Sequence, residues 1–574
     1  MTYTEIMRHE IADLVREGLQ AAQAAGDLDA FEIPEEIPVA PSRHEAHGDY
    51  GSPVCMELAR VLHRAPIQIA KAAAPHIPAV DFVSEIEVAP PGFINFTLDE
   101  GWLARRVPVI LEMGEAWGDL NVGAGERVQV EFVSANPTGP LTIGSARNAV
   151  LGDAIAAVLA AAGYAVEREY YVNDHGSKAR KLGYSIYARY LSLLDEPPPF
   201  EDEEEMYPGA YITAMAQELV DSSGRRFVKM DPEQAIREFS AWGIERVLAG
   251  VEKDLARIRI HFDTWRHERN FYQGDPSLYE QMMARLREDG YIVDKEGAVW
   301  FSHPDLDQDA VLVRSAEVIP NPEDRPTYLM SDICYLWDKL ALRDFDTAIY
   351  IWGADHHGDV PRVKAAAQAL GIDPARVELI LYQLVTLRRG DQDVRMSKSS
   401  GEFVTLREMI DEVGPDPIRF MLLTRTADVT LDFDLELAVE ESERNPVYYV
   451  QYAHTRIAGV LRHAAERGWA SDGIDMLGDP ALLTHPSELD LIRKMLALPE
   501  IIDVAAEHRA PHHLTAYARE LAALFHIFYH NCRIVSSDPA DADLTRARLM
   551  LARAAKTVLA RVLHLMGMDA PESM

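Results

Sequence analysis

A strand, a Pro/Gly-rich turn and a long apolar helix that leads back into a second strand constrain this chain most. Residues 128–133 read as a strand, 143–162 as a helix and 166–172 as another strand. Gly163 stands where a glycine ends a helix. A crossover helix of that length joins parallel strands, because antiparallel neighbours need only a tight turn. A second unit follows, with apolar strand candidates at 348–352 and 379–385 flanking a helix at 360–370. Two such halves predict an α/β chain built on a Rossmann-like doubly wound parallel sheet, which binds ligands at the carboxyl ends of its strands.

The 574 residues are too many for one core and predict several domains. Residues 1–115 read as a small α/β module. It has an amphipathic N-terminal helix (Ile6, Ile11, Leu14, Val15, Leu19), helices at 56–62 and 67–74, and strands at 83–88 and 93–98. The sheet domain spans 116–405, with a mainly helical insertion at about 175–310 that carries an acidic surface loop at 201–205. Strand-like alternation returns at 298–301 and 310–314. From about Leu406 the chain reads as helices, with connecting helices at 406–445 and a helical bundle at 446–574.

Composition narrows the class. Hydrophobic content of 48% with 26% charged residues is ordinary for a globular chain. No run approaches 18 consecutive apolar residues and no basic-then-apolar leader is visible, so a cytoplasmic chain with no membrane span is expected. Cys55, Cys334 and Cys532 lie far apart without CxxC spacing, which argues against a disulfide framework and against zinc. A net charge of −36 argues against a nucleic-acid partner, but its distribution is uneven. Residues 1–115 carry −11 and residues 445–574 only −2, so the C-terminal region could still present a basic face.

Two segments carry the chemistry. In Glu131-Phe-Val-Ser-Ala-Asn-Pro-Thr-Gly-Pro-Leu-Thr-Ile-Gly-Ser145, Pro137 and Pro140 stiffen the turn while Gly139 and Gly144 allow close backbone approach. Helix N-terminal amides then face whatever sits above the strand, and Thr142 and Ser145 add hydroxyl donors. In Arg395-Met-Ser-Lys-Ser399, Arg395 and Lys398 lie three apart beside Ser397, Ser399, Ser400 and Gly401, so both cations can swing onto phosphates. Alone, the first reads equally well as a simple strand-to-helix turn and the second as a solvated basic turn. Together they form a clamp for a nucleoside triphosphate.

The pair resembles the two signatures of the class I aminoacyl-tRNA synthetases, His-Ile-Gly-His and Lys-Met-Ser-Lys-Ser. Further segments resemble the arginyl-tRNA synthetase family: Ser134-Ala-Asn-Pro-Thr-Gly-Pro140, Arg168-Glu-Tyr-Tyr-Val-Asn-Asp174, Pro326-Thr-Tyr-Leu-Met-Ser-Asp-Ile333, Gly353-Ala-Asp-His-His-Gly358 and Gly401-Glu-Phe-Val-Thr405. Gly48-Asp-Tyr50, Pro91-Gly-Phe-Ile-Asn-Phe96 and the Met-Gly-Met-Asp-Ala-Pro-Glu-Ser-Met574 terminus extend the likeness over essentially the whole chain. Both signature histidines are replaced, by Thr142 and Ser145, and the first signature lysine by Arg395. A hydroxyl can hydrogen-bond a phosphate oxygen but supplies no charge, so Arg395 and Lys398 carry that duty.

The resemblance implies an arginine–tRNA ligase that uses ATP with Mg²⁺ and holds no tightly bound metal. It implies catalytic roles for Thr142, Ser145, Arg395 and Lys398, and ATP contacts from these together with Pro137, Gly139, Gly144, His356, Met396 and Ser397. Arginine would be read by Glu131, Ser134, Asn136, Tyr328, Asp332 and Asp355, with Tyr328 and Asp332 on one helical face. The Asp355-His356-His357-Gly358 segment also invites a metal reading, but it has no third ligand at suitable spacing. Asn173, Asp174 and Gly176 follow a strand and either line the site or form a turn. The partners implied are ATP, L-arginine and the tRNA for arginine, bound by a monomer. Phe93 and Asn95 of the N-terminal module match contacts to the tRNA elbow. Tyr448, Tyr452, Arg456 and Tyr529 interleave aromatic and polar groups on an anticodon-binding bundle, where unstacked bases seek such surfaces. The rivals are another enzyme of the subgroup, such as the cysteinyl one, and a non-catalytic tRNA-binding paralogue. Missing Cys/His zinc ligands oppose the first, and intact Lys398, Glu131 and Asn136 oppose the second.

Overall fold

The computed structural model describes residues 6–42, 44–198, 206–390, 392–394, 404–469 and 478–574. The acidic segment expected at 201–205 and the segment holding Arg395, Met396, Ser397 and Lys398 lie outside the described residues.

The N-terminal module comprises α1 (Met7–Ala25), β1 (Ala40–Pro41), β2 (Tyr50–Ser52), α2 (Val54–Leu62), α3 (Pro66–Ala73), β3 (Val83–Ala89) and β4 (Phe93–Leu98). Its strands form an antiparallel sheet in the order β1-β2-β4-β3. Ile11, Val15 and Leu19 of α1 are fully buried, as their helical spacing requires. A linking helix, α4 (Glu100–Met113), starts under an Asp99 cap that accepts from the Trp102 backbone N–H.

The catalytic-type region opens with β5 (Arg127–Glu131), α5 (Ile143–Ala161) and β6 (Ala165–Val172). It continues through α6 (Ser177–Leu193), α7 (Ala210–Ser223), α8 (Pro232–Arg257), β7 (Thr264–His267) and α9 (Leu278–Glu288). Next come β8 (Ile292–Lys295), β9 (Ala298–Phe301) and β10 (Ala310–Val313), a small antiparallel sheet, then α10 (Tyr328–Trp337), β11 (Thr347–Gly353), α11 (Val360–Ala369) and β12 (Val377–Tyr382). Strands β12-β11-β5-β6-β7 make one all-parallel sheet. Counted along the chain, β5 is flanked by the second strand on one side and the fourth on the other. That is the doubly wound order, and its switch point lies between β5 and β11.

Three expectations need correction. The stretch 175–310 is not only a helical insertion, because it contains β7, the fifth strand of the main sheet. Residues 379–385 are not one strand: the chain breaks after β12 and enters β13 (Val385–Arg389), which belongs to a separate sheet with β14 (Gln392–Asp393) and β15 (Leu431–Asp434). The chain beyond Leu406 is therefore not wholly helical, since β15 interrupts α12 (Leu406–Val413), α13 (Pro415–Leu422) and α14 (Leu435–Val439).

The C-terminal region consists of α15 (Pro446–Glu466), α16 (Pro486–Leu496), α17 (Leu498–Glu507), α18 (His512–Asn531) and α19 (Ala542–Leu565). It packs back on the N-terminal half, where Arg493 pairs with Asp49 at 2.7 Å and the Tyr50 hydroxyl donates to Glu500 at 2.9 Å.

Helix α5 is mainly apolar and buried on nearly every side, because the sheet lies beneath it and other helices cover it. By length and composition it is the one helix among the described residues that could cross a membrane, yet 78% of it is buried inside the protein. It lies so close to the sheet that a Cβ on Gly152 would fall 2.2 Å from Phe132, so only glycine fits there. Gly163, just past its end, has φ +94°, the left-handed conformation expected of a helix-ending glycine.

Candidate active site

The switch point is held open by the first turns of α5. The Asn148 carboxamide accepts from the Val133 backbone N–H at 2.6 Å and donates to the Ile351 carbonyl at 2.8 Å, bridging the ends of β5 and β11. Arg147, fully buried, donates to the carbonyls of Gln383, Thr426 and Val429 at 2.7 to 2.9 Å. These two side chains were not singled out in the sequence, although polar residues inside so apolar a helix were the available signal.

At the tip of α5, Thr142 is the N-cap residue, but its hydroxyl makes no capping bond. The backbone N–H groups of Ile143, Gly144 and Ser145 therefore point out of the helix without intrahelical partners, a ready site for an anion. Thr142 pairs with Thr405 in an isolated β-bridge, and the Leu406 N–H donates to the Leu141 carbonyl at 2.8 Å. Thr405 and Leu406, which follow the segment holding Arg395 and Lys398 in sequence, are thus fastened beside the helix that carries the first signature. Pro137 is buried and Gly139 half-buried, and the turn between them is held by the Tyr211 hydroxyl of α7, which donates to the Thr138 carbonyl at 2.7 Å.

Around the carboxyl ends of β5, β6 and β11 lies an acidic recess. Strand register places Glu131 between Tyr350 of β11 and Glu169 of β6. Glu131 is 4% exposed, and its Oε2 lies 2.7 Å from the ammonium of the fully buried Lys339. The carboxylate of Asp332, on α10, makes no hydrogen bond or ion pair with any described residue. Enclosure by protein pushes its carboxyl well above the usual range, and the nearby charges of Glu131 and Glu268 push it further. Glu268 is buried with Oε1 accepting from Ser331 at 2.5 Å, whereas its Oε2 has no partner. Burial raises its carboxyl to about 7. Of these three carboxyl groups only Glu131 is paired with a cation, the Lys339 ammonium.

The other expected arginine contacts are placed unevenly. Tyr328 opens α10, is 52% exposed and carries the Lys178 ammonium 5.2 Å over its ring. The Ser134 hydroxyl accepts from the Tyr171 N–H at 3.1 Å, and its carbonyl accepts from the Asn173 side chain at 3.1 Å. Asn136 is exposed at the mouth. Asp355 projects outward with its side chain 84% exposed, apart from the recess, and His356 pairs with Asp359 at 3.2 Å. Asp174 follows the turn reading: it is buried and committed to His267 at 2.7 Å and to the Arg269 N–H at 3.0 Å. Among the described residues no three His, Cys, Asp or Glu side chains are grouped to hold a metal.

The candidate tRNA contacts fall into two places. Phe93 and Asn95 share one face of β4, opposite the buried Ile94, Phe96 and Leu98, with Phe93 half-buried and Asn95 buried. On α15 and α18, Tyr448 and Tyr452 stack at 5.8 Å, and the Arg456 guanidinium lies 4.6 Å over Tyr452 and 5.2 Å over the exposed Tyr529. Their neighbours Gln451 and His454 are buried and bond the C-terminal tail through the carbonyls of Asp569 and Pro571.

The family described as "tRNA synthetases class I (R), catalytic domain" matches residues 106–439. The chain is also 42% identical over 572 residues to the Arginine–tRNA ligase of Dehalococcoides mccartyi (strain CBDB1), covering 99% of both chains. The chain belongs to the arginyl-tRNA synthetase family. The Arginine–tRNA ligase of Syntrophotalea carbinolica is 43% identical over 574 residues, covering 99% of this chain and all of that one. The family's N-terminal domain matches residues 9–98, and the DALR anticodon binding domain matches 450–574. The Thermus thermophilus arginyl-tRNA synthetase shares the fold, with a TM-score of 0.74 at 22% identity over 99% of this chain and all of that one. Glu268 was not among the residues singled out in the sequence. It lies in a short turn after β7 and joins the recess only in space.

Proposed function

We propose that this chain is an arginine–tRNA ligase whose acidic recess takes the arginine guanidinium and whose α5 tip takes the ATP phosphates. The observation that carries the reading is the unpaired Asp332 beside the half-paired Glu268, both held where charge is costly unless a cation arrives.

In the first step an oxygen of the arginine carboxylate attacks the ATP α-phosphorus in line, the bond to the bridging oxygen breaks, and pyrophosphate leaves. In the second, a terminal ribose hydroxyl of the tRNA attacks the activated carbonyl and AMP leaves. The first step needs positioning and charge neutralisation more than an acid–base pair. Asp332 and Glu268 hold the guanidinium, Tyr328 covers it, and Glu131 and Asn136 hold the α-amino and carboxyl end with Ser134. Thr142, Gly144, Ser145, Pro137 and Gly139 cradle the triphosphate, His356 borders the adenosine, and Arg395, Met396, Ser397 and Lys398 close over it. Mg²⁺ arrives with ATP as part of that substrate.

The N-terminal module (1–115) meets the tRNA elbow through Phe93 and Asn95. Tyr448, Tyr452, Arg456 and Tyr529 form a platform on which anticodon bases stack. The chain acts as a monomer in the cytoplasm, where ATP and tRNA are available.

Binding should follow pH in a set direction. Arginine keeps its guanidinium charge throughout, so its affinity depends on ionised Glu268 and Asp332. Both carboxyls are raised in the empty site, so affinity rises as pH increases through about 7. Calorimetry should show arginine binding that tightens from about pH 6 to about pH 8 with proton release, flattened in Glu268→Gln. Citrulline, the uncharged isostere, should not bind. Equal binding of citrulline would refute the charge-reading pocket.

A further inference from the structure

We infer that Lys339 is a positioning residue for arginine recognition, acting through Glu131, which it fixes with one oxygen bonded and the other left for the substrate's α-ammonium. This rests on the ligase reading above and extends it to a residue that touches no substrate.

Lys339 sits in a π-helical turn, residues 338–342, directly after the helix that carries Tyr328 and Asp332. Its ammonium lies 3.7 Å from the ring centroid of Tyr335 and 3.5 Å from that of Tyr350, so two aromatic faces cradle the charge. Neither ring offers it a strong acceptor. The Tyr335 hydroxyl donates to Glu169, and the Tyr350 hydroxyl has no partner. Its one anionic contact is Oε2 of Glu131 at 2.7 Å. No described residue bonds Oε1 of Glu131, and that atom is the one left for a ligand.

The surrounding charges explain why the position needs a cation. Glu169 on β6 is satisfied elsewhere, by Arg343 at 2.5 Å and by Tyr335. Asp338, beside Lys339 in sequence, pairs with Arg266 at 2.5 Å and Arg343 at 3.4 Å. Asp332 on α10 and Glu268 after β7 face the same recess and repel a charge on Glu131, and Asp359 lies farther out. Without Lys339, Glu131 would be a buried carboxylate with no counter-charge and no bond to fix its orientation toward the substrate. Burial lowers the Lys339 ammonium from its ordinary range, and Glu131 and Glu169 hold it up.

The test uses the full-length chain in steady-state charging assays. Lys339→Gln removes the charge but keeps a donor beside Glu131, and Lys339→Met removes both. Each should raise the KM for arginine about tenfold, with kcat at saturating arginine and the KM for ATP changed less than about threefold. Lys339→Arg should restore most of the loss. A folded Lys339→Gln with the wild-type arginine KM would overturn the role, as would equal losses in arginine and ATP use. Wild-type charging is the control. Its failure would defeat the ligase reading, whereas unchanged variants beside an active wild type defeat only the role of Lys339.

Discussion

Asp332→Asn lowers kcat/KM for arginine about a thousandfold, roughly 4 kcal/mol, while leaving ATP use and tRNA binding near wild type. Asparagine keeps the size and one acceptor oxygen but removes the charge that a guanidinium fork pairs with bidentately. The loss is large because a site shaped for a cation leaves that cation buried and half-paired when one carboxylate goes. The same variant should be more stable than the wild type. In the empty protein the Asp332 carboxyl is raised above its unfolded value by burial and by Glu131 and Glu268. Such a group destabilises the fold increasingly as pH rises above about 4, its unfolded pKa, so neutral asparagine relieves the strain at neutral pH. Thermal melting at neutral pH should show a higher midpoint for Asp332→Asn, and acidification should narrow the gap. A stable variant that still charges tRNA with arginine at the wild-type rate would remove Asp332 from the pocket.

Lys398→Ala slows charging by about two to three orders of magnitude, with the Kd for tRNA unchanged. The first signature of this chain carries hydroxyls, Thr142 and Ser145, where imidazoles stand in the class pattern, so in the proposed mechanism the fixed positive charge falls to Arg395 and Lys398. Thr405 and Leu406, just after that segment in sequence, are tied to the N-terminal end of α5 through the Thr142–Thr405 bridge and the bond from the Leu406 N–H to the Leu141 carbonyl. The lysine therefore belongs to the activation step. Pre-steady-state charging with saturating tRNA separates the steps: adenylate formation should slow, and transfer from preformed adenylate should not. Wild-type rates in Lys398→Ala would place the transition-state charge elsewhere.

Much of this molecule is legible in its sequence, and the failures have physical causes. The units around β5 and β11 stand out because buried parallel strands and their crossover helices are long and apolar. Strand β7 was invisible. Thr264–His267 is four residues long, lies at the sheet edge and is half-buried throughout, so it shows neither an apolar run nor alternation. Residues 379–385 looked continuous because apolar residues run through the point where the chain leaves one sheet for another. Tyr328 and Asp332 could be paired from their spacing on one helix. Glu268 and Lys339 could not, since the recess assembles from β5, the turn after β7 and the turn after α10, far apart along the chain. The aromatic run on α15 mixed two purposes. Tyr448, Tyr452 and Arg456 lie together, whereas Gln451 and His454 turn inward to hold the C-terminal tail.

An acidic, cation-seeking recess beside an uncapped helix tip suits this chain to activating arginine. ATP-dependent charging of total tRNA with each proteinogenic amino acid in turn should attach arginine and no other amino acid. Charging with a different amino acid, or tight binding of tRNA without any charging, would contradict that reading.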